Sequence, residues 1–421
     1  MPLQQTEPWA APVADGPVRA TVRLPGSKSL TNRALVLAAQ ATGPSTVRAP
    51  LRARDTLLMA GALRVLGCRV EGDDDWRVVP GPLARTPGEV DCGLAGTVAR
   101  FVPPLAALGT APIRFDGDAR MRERPMAPLL SALSRLGARI EGTAVPMTVT
   151  GPARGGQVVI DASSSSQLLS GLLLVGASLP AGLDVRHEGP PPVSAHHIAM
   201  TVTMLRDAGV EVDVATDRWV VEAGPVRPVD RTVEPDLSSA SAFLAAAVAT
   251  GGTVTIPAWP AATSQPGAVL PELLTAMGAS YEIGPEGLVL KGSGTIHGIE
   301  ANLRDAPELA LTLAALAVLA DSPSRLTGIA HIRLQETDRI AAIATELGRL
   351  GARIEELPDG LAVTPAALHG DEVLDPRADH RLAMAYAVVG LALPGVRILD
   401  IATTAKTVPD FPALWAGLAG S

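Results

Sequence analysis

The chain has 421 residues, enough for two or three ordinary domains. Hydrophobic residues make up 47% and aromatics only 3%, so its interior must be built from Ala, Leu and Val. Acidic residues outnumber basic ones, 43 to 35, for a net charge of −8 that argues against general nucleic-acid binding, while two cysteines, Cys68 and Cys92, exclude a disulfide framework or a four-cysteine zinc site.

The first twenty residues lack the cationic start and apolar core of a secretory signal. The longest apolar stretches, such as Leu309–Ala320, are too short to span a bilayer. A cytoplasmic protein with no membrane partner is therefore expected. Residues 1–16 read as a disordered or loosely held tail. ATVRL then reads as a strand and Ala34–Ala41 as a helix, with RLPGSKSLTNR (Arg23–Arg33) between them. Hydroxyls and cations that feed a helix N-terminus offer free N–H groups and a favourable dipole to an anion. This is not a nucleotide P-loop, because Ser27, not Gly, precedes Lys28.

Next comes DCGLAGTVAR (Asp91–Arg100), where Gly93 and Gly96 permit close backbone approach and Thr97 is placed to cap a helix. In DGDARMRERPM (Asp116–Met126), Arg124 beside Pro125 suits bidentate recognition of carboxylate or phosphate. SSSSQ (Ser163–Gln167) opens the apolar run LLSGLLLVGA. Ala223–Asp236, with Pro225, Pro228 and Pro235, reads as a semi-rigid linker between domains. GSGTIHG (Gly292–Gly298) has the wrong spacing for a dinucleotide loop. Finally RLQETDR (Arg333–Arg339), DHR (Asp379–Arg381) and TTAKTVPDF (Thr403–Phe411) each set a cation by an acid next to an apolar helix. Singly, such pairs are most often surface ion pairs of little energy. Collected in one cleft, Lys28, Arg33, Arg124, Arg339, Arg381 and Lys406 would hold a small, multiply anionic substrate or substrate pair.

One phrase recurs through the chain: a Leu/Ala-rich helical stretch, a glycine, then a short β-branched segment. Its glycines are Gly67, Gly137, Gly209, Gly278 and Gly351, spaced by 70, 72, 69 and 73 residues, and GARIE occurs verbatim at 137–141 and 351–355. Each copy predicts an amphipathic helix, a Gly C-cap and a strand. Units of about 70 residues are too long for a solenoid repeat and suit small α/β subdomains. The length leaves room for six, one of them too divergent or split to carry the phrase.

LPGSKSLTNRALVLAA, GLAGTVARF, RERPM, SSSSQ, QETDR, DHR and TAKTVPDF occur in the order seen in the EPSP synthase family of enolpyruvyl transferases, which the chain resembles from about Val18 onward. The resemblance implies an α/β (α+β) fold of two domains facing across a cleft, with six β-α-β-α-β-β repeats, three per domain. The first domain would comprise residues 1–22 and 232–421 and carry the phosphoenolpyruvate-side motifs. The second, 23–231, would carry the shikimate-phosphate side.

The implied reaction moves the enolpyruvyl group of phosphoenolpyruvate to the 5-hydroxyl of shikimate 3-phosphate, releasing phosphate, without metal or organic cofactor. Carried over motif by motif, Lys28, Ser29, Arg33, Ser165, Ser166, Gln167, Ser194, Glu308 and Gln335 would hold shikimate 3-phosphate. Lys28, Gly96, Arg124, Gln167, Arg339, Arg381 and Lys406 would hold phosphoenolpyruvate. Lys28, Glu308 and Glu336 would be catalytic, with Glu336 moving the methylene proton and Glu308 acting as base at the 5-hydroxyl. A monomer is implied.

Three positions depart from the family pattern: Gln335 stands where Lys or His is usual, Leu94 where Asn is common, and His197 matches a Tyr near the shikimate ring. Two other readings compete. A transferase acting on UDP-N-acetylglucosamine usually carries a reactive Cys in the loop near 116–124, and none is present here. A catalytically impaired paralogue that only binds a phosphorylated ligand is invited by Gln335 alone.

Overall fold

A computed structural model describes residues 7–421. Contacts divide the chain into two compact units. Unit 1 holds the described residues through Pro25 together with Pro235–Ser421, and unit 2 holds Gly26–Glu234. The crossings thus fall three residues later than the expected 22/23 and 231/232.

Each unit has its own core, and each core is dominated by Ala, Leu and Val, as the shortage of aromatics requires. The main aromatic cluster, Phe243, Phe411 and Trp415, lies in unit 1, with ring centroids 5.1–5.6 Å apart. No helix among the described residues is long and apolar enough to cross a membrane.

The repeat is plainest at Gly88–Thr150. Strand Gly88–Asp91, helix Gly96–Ala106, strand Ile113–Asp116, helix Ala127–Arg135 and the strands Arg139–Glu141 and Met147–Thr150 form one sheet. Its first two strands run parallel and the last two antiparallel. Four more sheets have the same order of parallel pair and antiparallel hairpin. Two of them are closed across a chain crossing. Arg231–Thr232 returns to pair in parallel with Ser45–Arg48 in unit 2, and Arg19–Thr21 pairs in parallel with Thr253–Ile256 in unit 1. Unit 2 is therefore inserted between the first strand and the first helix, Ala240–Thr250, of a unit 1 repeat.

The sixth sheet differs and explains the missing sixth phrase. Val373–Leu374 and Arg397–Ile398 are parallel, but their third partner is Trp9–Ala10, antiparallel, in place of a hairpin following helix Phe411–Ala419.

All five phrase glycines have positive φ, from +77° to +106°. At Gly67 the N–H donates to the Arg64 carbonyl and that of Cys68 to the Leu63 carbonyl, and the same pair recurs at Gly137, Gly209 and Gly351. This double bond pattern at a helix end demands a left-handed residue, which is why the glycines stand out in the sequence.

Two expectations are corrected. Ala11 and Ala14 donate backbone N–H groups to Val396 and Leu391, so the segment around Trp9–Ala10 is a bound strand and not a tail; residues 1–6 lie outside those described. Nor is Ala223–Asp236 a linker. The N–H groups of Gly224, Arg227, Val229 and Val233 bond to Ala177, Ala208, Ser45 Oγ and Arg48, and the Thr42 N–H bonds to Val226. Proline there interrupts regular structure without freeing the chain.

In each repeat one helix is buried along most or all of its length: Lys28–Ala39, Gly96–Ala106 and Ser166–Val175 in unit 2, and Ala240–Thr250, Ala310–Ala317 and His380–Ala392 in unit 1. Within each unit the three pack on one another. Their N-termini follow the ends of parallel strands, the usual place for ligands on open α/β sheets.

Candidate active site

The helix expected at Ala34 begins six residues earlier, at Lys28, with Ser27 at its N-cap. The polar run is therefore the helix's first turns, and the neighbouring helices supply its partners. Asn32 donates to Thr97 Oγ1 at 2.6 Å, so Thr97 accepts from another helix and does not cap its own, whose N-cap is Ala95. Lys28 Nζ lies 3.4 Å from Asp55 Oδ2.

Arg33 is only 1% exposed. Its Nε donates to Thr201 Oγ1 (2.7 Å), Nη1 to the Ser29 carbonyl (3.1 Å) and Nη2 to the His197 carbonyl (3.0 Å), and the guanidinium lies over Phe101. Burial lowers its pKa to about 9. These bonds tie Ser29 to the helix that starts after Ser194, which stands at its N-cap with left-handed backbone. Arg33 thus joins two expected shikimate-phosphate segments through their backbones.

Gly96, Arg124 and Gln167 come together at the starts of two buried helices. A Cβ on Gly96 would lie 2.8 Å from Gln167 Oε1 and 3.0 Å from both Arg124 Nη atoms, so only glycine leaves the arginine and the amide side by side. Ser165 caps helix Ser166–Val175 by accepting from the Gln167 N–H, which fixes that end. Arg100, buried, donates to the carbonyls of Gly96 (3.3 Å) and Pro125 (3.2 Å), locking the glycine turn to the RERPM turn.

In unit 1 the expected residues form one bonded run. Lys406 Nζ donates to Glu336 Oε1 at 2.7 Å, and Glu336 Oε2 lies 3.1 Å from Arg339 Nη2. Arg339 also donates Nε and Nη2 to the two oxygens of Asp379 (2.7 and 3.2 Å) and Nη1 to Gln335 Oε1. Asp379 caps helix His380–Ala392 by accepting from the Arg381 N–H, and Arg381 Nη1 reaches the Glu308 carbonyl at 3.4 Å.

Glu308 is buried and accepts from Ser238 Oγ at 3.1 Å. Burial raises its carboxyl above the usual carboxylate range; Arg381 and the Ser238 bond oppose that rise. For Arg339, burial works against the charge, but Asp379 and Glu336 more than offset it and leave the guanidinium firmly cationic. Nearby, burial and then Arg304 and Arg339 lower His331 to about 4, holding it neutral.

Most expected site residues therefore lie at or beside a helix N-terminus or in the turn before one; Arg33 sits midway along its helix and Lys406 ends the short helix Ile401–Lys406. The residues expected for each substrate are divided between the two units. Gly96, Arg124 and Gln167 belong to unit 2 while Arg339, Arg381 and Lys406 belong to unit 1, and Glu308 and Gln335, expected on shikimate phosphate, also belong to unit 1. Four partners escaped the sequence reading. Asp379 stood inside a quoted phrase, but its partner is forty residues away. Arg100 closed another quoted phrase without being given a role, Asp55 looked like any acid in a helix's first turn, and nothing local marked Ser238.

Five βαβαββ modules and a sixth that lacks the closing hairpin, with cations and carboxyls gathered near helix N-termini, define an α/β enzyme scaffold suited to small anionic substrates. A family model described as EPSP synthase (3-phosphoshikimate 1-carboxyvinyltransferase) matches residues 13–415, and the chain belongs to that family. A 3-phosphoshikimate 1-carboxyvinyltransferase of Mycobacterium ulcerans (strain Agy99) is 52% identical over 423 aligned residues, covering 98% of each chain. Among solved structures, an EPSP synthase from Acinetobacter baumannii superposes with a TM-score of 0.80 at 24% identity over 98% of both chains. The enolpyruvyl transferase NikO from Streptomyces tendae does so with 0.74 at 20% identity over 97% of both. These two share the fold.

Proposed function

We propose that this chain transfers the enolpyruvyl group of phosphoenolpyruvate to the 5-hydroxyl of shikimate 3-phosphate, giving 5-enolpyruvylshikimate 3-phosphate and inorganic phosphate. The observation that carries the reading is the bonded run Lys406–Glu336–Arg339–Asp379. It sets a carboxylate between two cations, as proton transfer beside a bound phosphate or carboxylate requires.

In the addition step, Glu308 takes the proton of the 5-hydroxyl as its oxygen bonds to C2 of the enol, and Glu336 relays a proton from the Lys406 ammonium bonded to it to the C3 methylene. The tetrahedral ketal then returns a proton from the new methyl group to Glu336 as the C2–O bond to phosphate breaks, and the departing phosphate takes up the proton held by Glu308. Lys28, Gly96, Arg124, Gln167, Arg339, Arg381 and Lys406 hold the phosphoenolpyruvate moiety and its leaving phosphate. Lys28, Ser29, Arg33, Ser165, Ser166, Gln167, Ser194, Glu308 and Gln335 hold shikimate 3-phosphate. Because the Arg33 guanidinium is bonded to backbone carbonyls, its share of that work is to hold the Ser29 and Ser194 segments in register.

The raised Glu308 carboxyl supports its role as base, since a proton acceptor works best with a pKa close to the operating pH. The enzyme acts as a cytoplasmic monomer in this reading. Its test is phosphate release by the purified protein with shikimate 3-phosphate as acceptor and, in parallel, with UDP-N-acetylglucosamine. Release with the first acceptor alone is expected. Release with only the second would move the chain to the other transferase, and ligand binding without release would mark an impaired paralogue.

A further inference from the structure

Glu346 is a buried carboxylate that the reaction does not use. It sits two turns after Arg339 on helix Arg339–Arg349 and is 5% exposed. Its Oε2 accepts from the Asp375 backbone N–H and from Arg349 Nη1, each at 3.1 Å, and its Oε1 lies 3.8 Å from Arg377 Nη2. Arg349 also donates to the Val373 carbonyl (2.8 Å) and to Glu372. The Glu346–Arg349 pair therefore grips residues 372–377 from one helix face.

The gripped segment is unusual. Between Asp375 and Asp379, both Arg377 (φ 51°) and Ala378 (φ 56°) have left-handed backbone, although neither is glycine. Asp375 Oδ1 accepts from the Arg377 N–H at 2.7 Å, and the Asp379 N–H donates to the Pro376 carbonyl at 2.8 Å. Two successive left-handed non-glycine residues persist only where the surroundings over-determine them. The turn ends at Asp379, which holds the Arg339 guanidinium with both oxygens. The helix, Glu346, the turn, Asp379 and Arg339 thus form a closed ring in which one helix supplies both anchor points. Burial and then the charge of Glu346 raise the Tyr386 hydroxyl well above its ordinary pKa, and among the described residues it has no hydrogen-bond partner.

We propose that Glu346 is a positioning residue for Arg339: by holding the start of the strained Asp375–Asp379 turn, it aims Asp379 and so fixes the guanidinium that receives phosphoenolpyruvate. The inference rests on the proposed transferase reaction. Its effect falls first on phosphoenolpyruvate, because Arg339 is a member of the ring, whereas Gln335, assigned to shikimate 3-phosphate, is joined to it only through its bond with Arg339.

The test is steady-state kinetics of the full-length protein with each substrate varied. Glu346→Ala is expected to raise KM for phosphoenolpyruvate roughly tenfold or more while KM for shikimate 3-phosphate stays within about twofold. Glu346→Gln keeps an acceptor for the Asp375 N–H and is expected to stay near wild type. Ala378→Gly relieves the left-handed strain, so the double variant with Glu346→Ala is expected to recover most of the lost phosphoenolpyruvate affinity. A Glu346→Ala protein with a lower Tm but both KM values unchanged would overturn the proposal. So would equal rises in both KM values, or no recovery in the double variant. If Glu346→Ala does not fold, Glu346→Asp carries the test: its shorter side chain withdraws the carboxylate from the Asp375 N–H, and a folded variant with an unchanged KM for phosphoenolpyruvate would overturn the proposal. Wild-type protein that releases no phosphate would refute the transferase reading itself, a result distinct from all of these.

Discussion

Glu308 and Gly96 are single positions where the local chemistry makes definite demands. Burial pushes the Glu308 carboxyl up, so its neutral form persists to higher pH than for an ordinary glutamate. As a base it must be ionised, so kcat/KM should fall as pH drops through this raised pKa and hold above it. A pH–rate profile with its acidic limb in the ordinary carboxylate range would contradict that assignment. Glu308→Gln should lower kcat by roughly 10²- to 10⁴-fold without loss of fold, checked by single-turnover kinetics. At Gly96, an added methyl meets the Gln167 amide and the Arg124 guanidinium. Both are ends of flexible side chains, so Gly96→Ala should fold normally and raise KM for phosphoenolpyruvate by about 10- to 100-fold, with little change in Tm. Residue identities at the site were legible because motifs of hydroxyls and cations stand out in an Ala/Leu/Val chain. Their partners were not: the bonds from Arg339 to Asp379 and from Ser238 to Glu308 join positions far apart in sequence.

At the scale of the element, the repeated helix–glycine–strand junction carries the organisation. The left-handed glycine can be replaced only at a cost, so it leaves a periodic trace, and GARIE marks two such junctions. Gly137→Ala should destabilise the protein by about 1–2 kcal/mol, the cost of left-handed backbone for an L-residue, read from chemical denaturation. No change in the unfolding midpoint would mean that the junction adjusts. The buried helices were harder to read. Ala240–Thr250 and Ala310–Ala317 are apolar on every side, so neither has the one-faced periodicity by which a helix is recognised. The start of helix Lys28–Ala39 was hidden for the opposite reason: five of its first six residues are polar, and neighbouring helices supply partners for Asn32 and Arg33. The proline-rich segment before Asp236 misled because a run of prolines looks like a linker whether or not the intervening N–H groups find partners.

For the whole molecule, one chain makes two units by leaving a repeat unfinished and returning to complete it. Unit 2 begins and ends on itself: the Ser27 N–H donates to the Glu234 carbonyl at 2.8 Å, and Arg231–Thr232 completes the sheet that contains Ser45–Arg48. With its own core, the fragment 26–234 should fold alone, giving a cooperative thermal transition and dispersed NMR amide signals. A fragment with collapsed dispersion would show that this core depends on the rest of the chain. The net charge of −8 predicted little of this, because the deciding charges are a minority set at helix N-termini. The central claim is that those groups carry out an addition–elimination on phosphoenolpyruvate. Phosphorus NMR of the purified protein with phosphoenolpyruvate and shikimate 3-phosphate tests it most directly. Loss of the phosphoenolpyruvate signal, an equal gain of inorganic phosphate and a shifted sugar-phosphate signal of the enolpyruvyl product are expected, all dependent on both substrates. Unchanged signals at high enzyme concentration, or phosphate released without shikimate 3-phosphate, would contradict it.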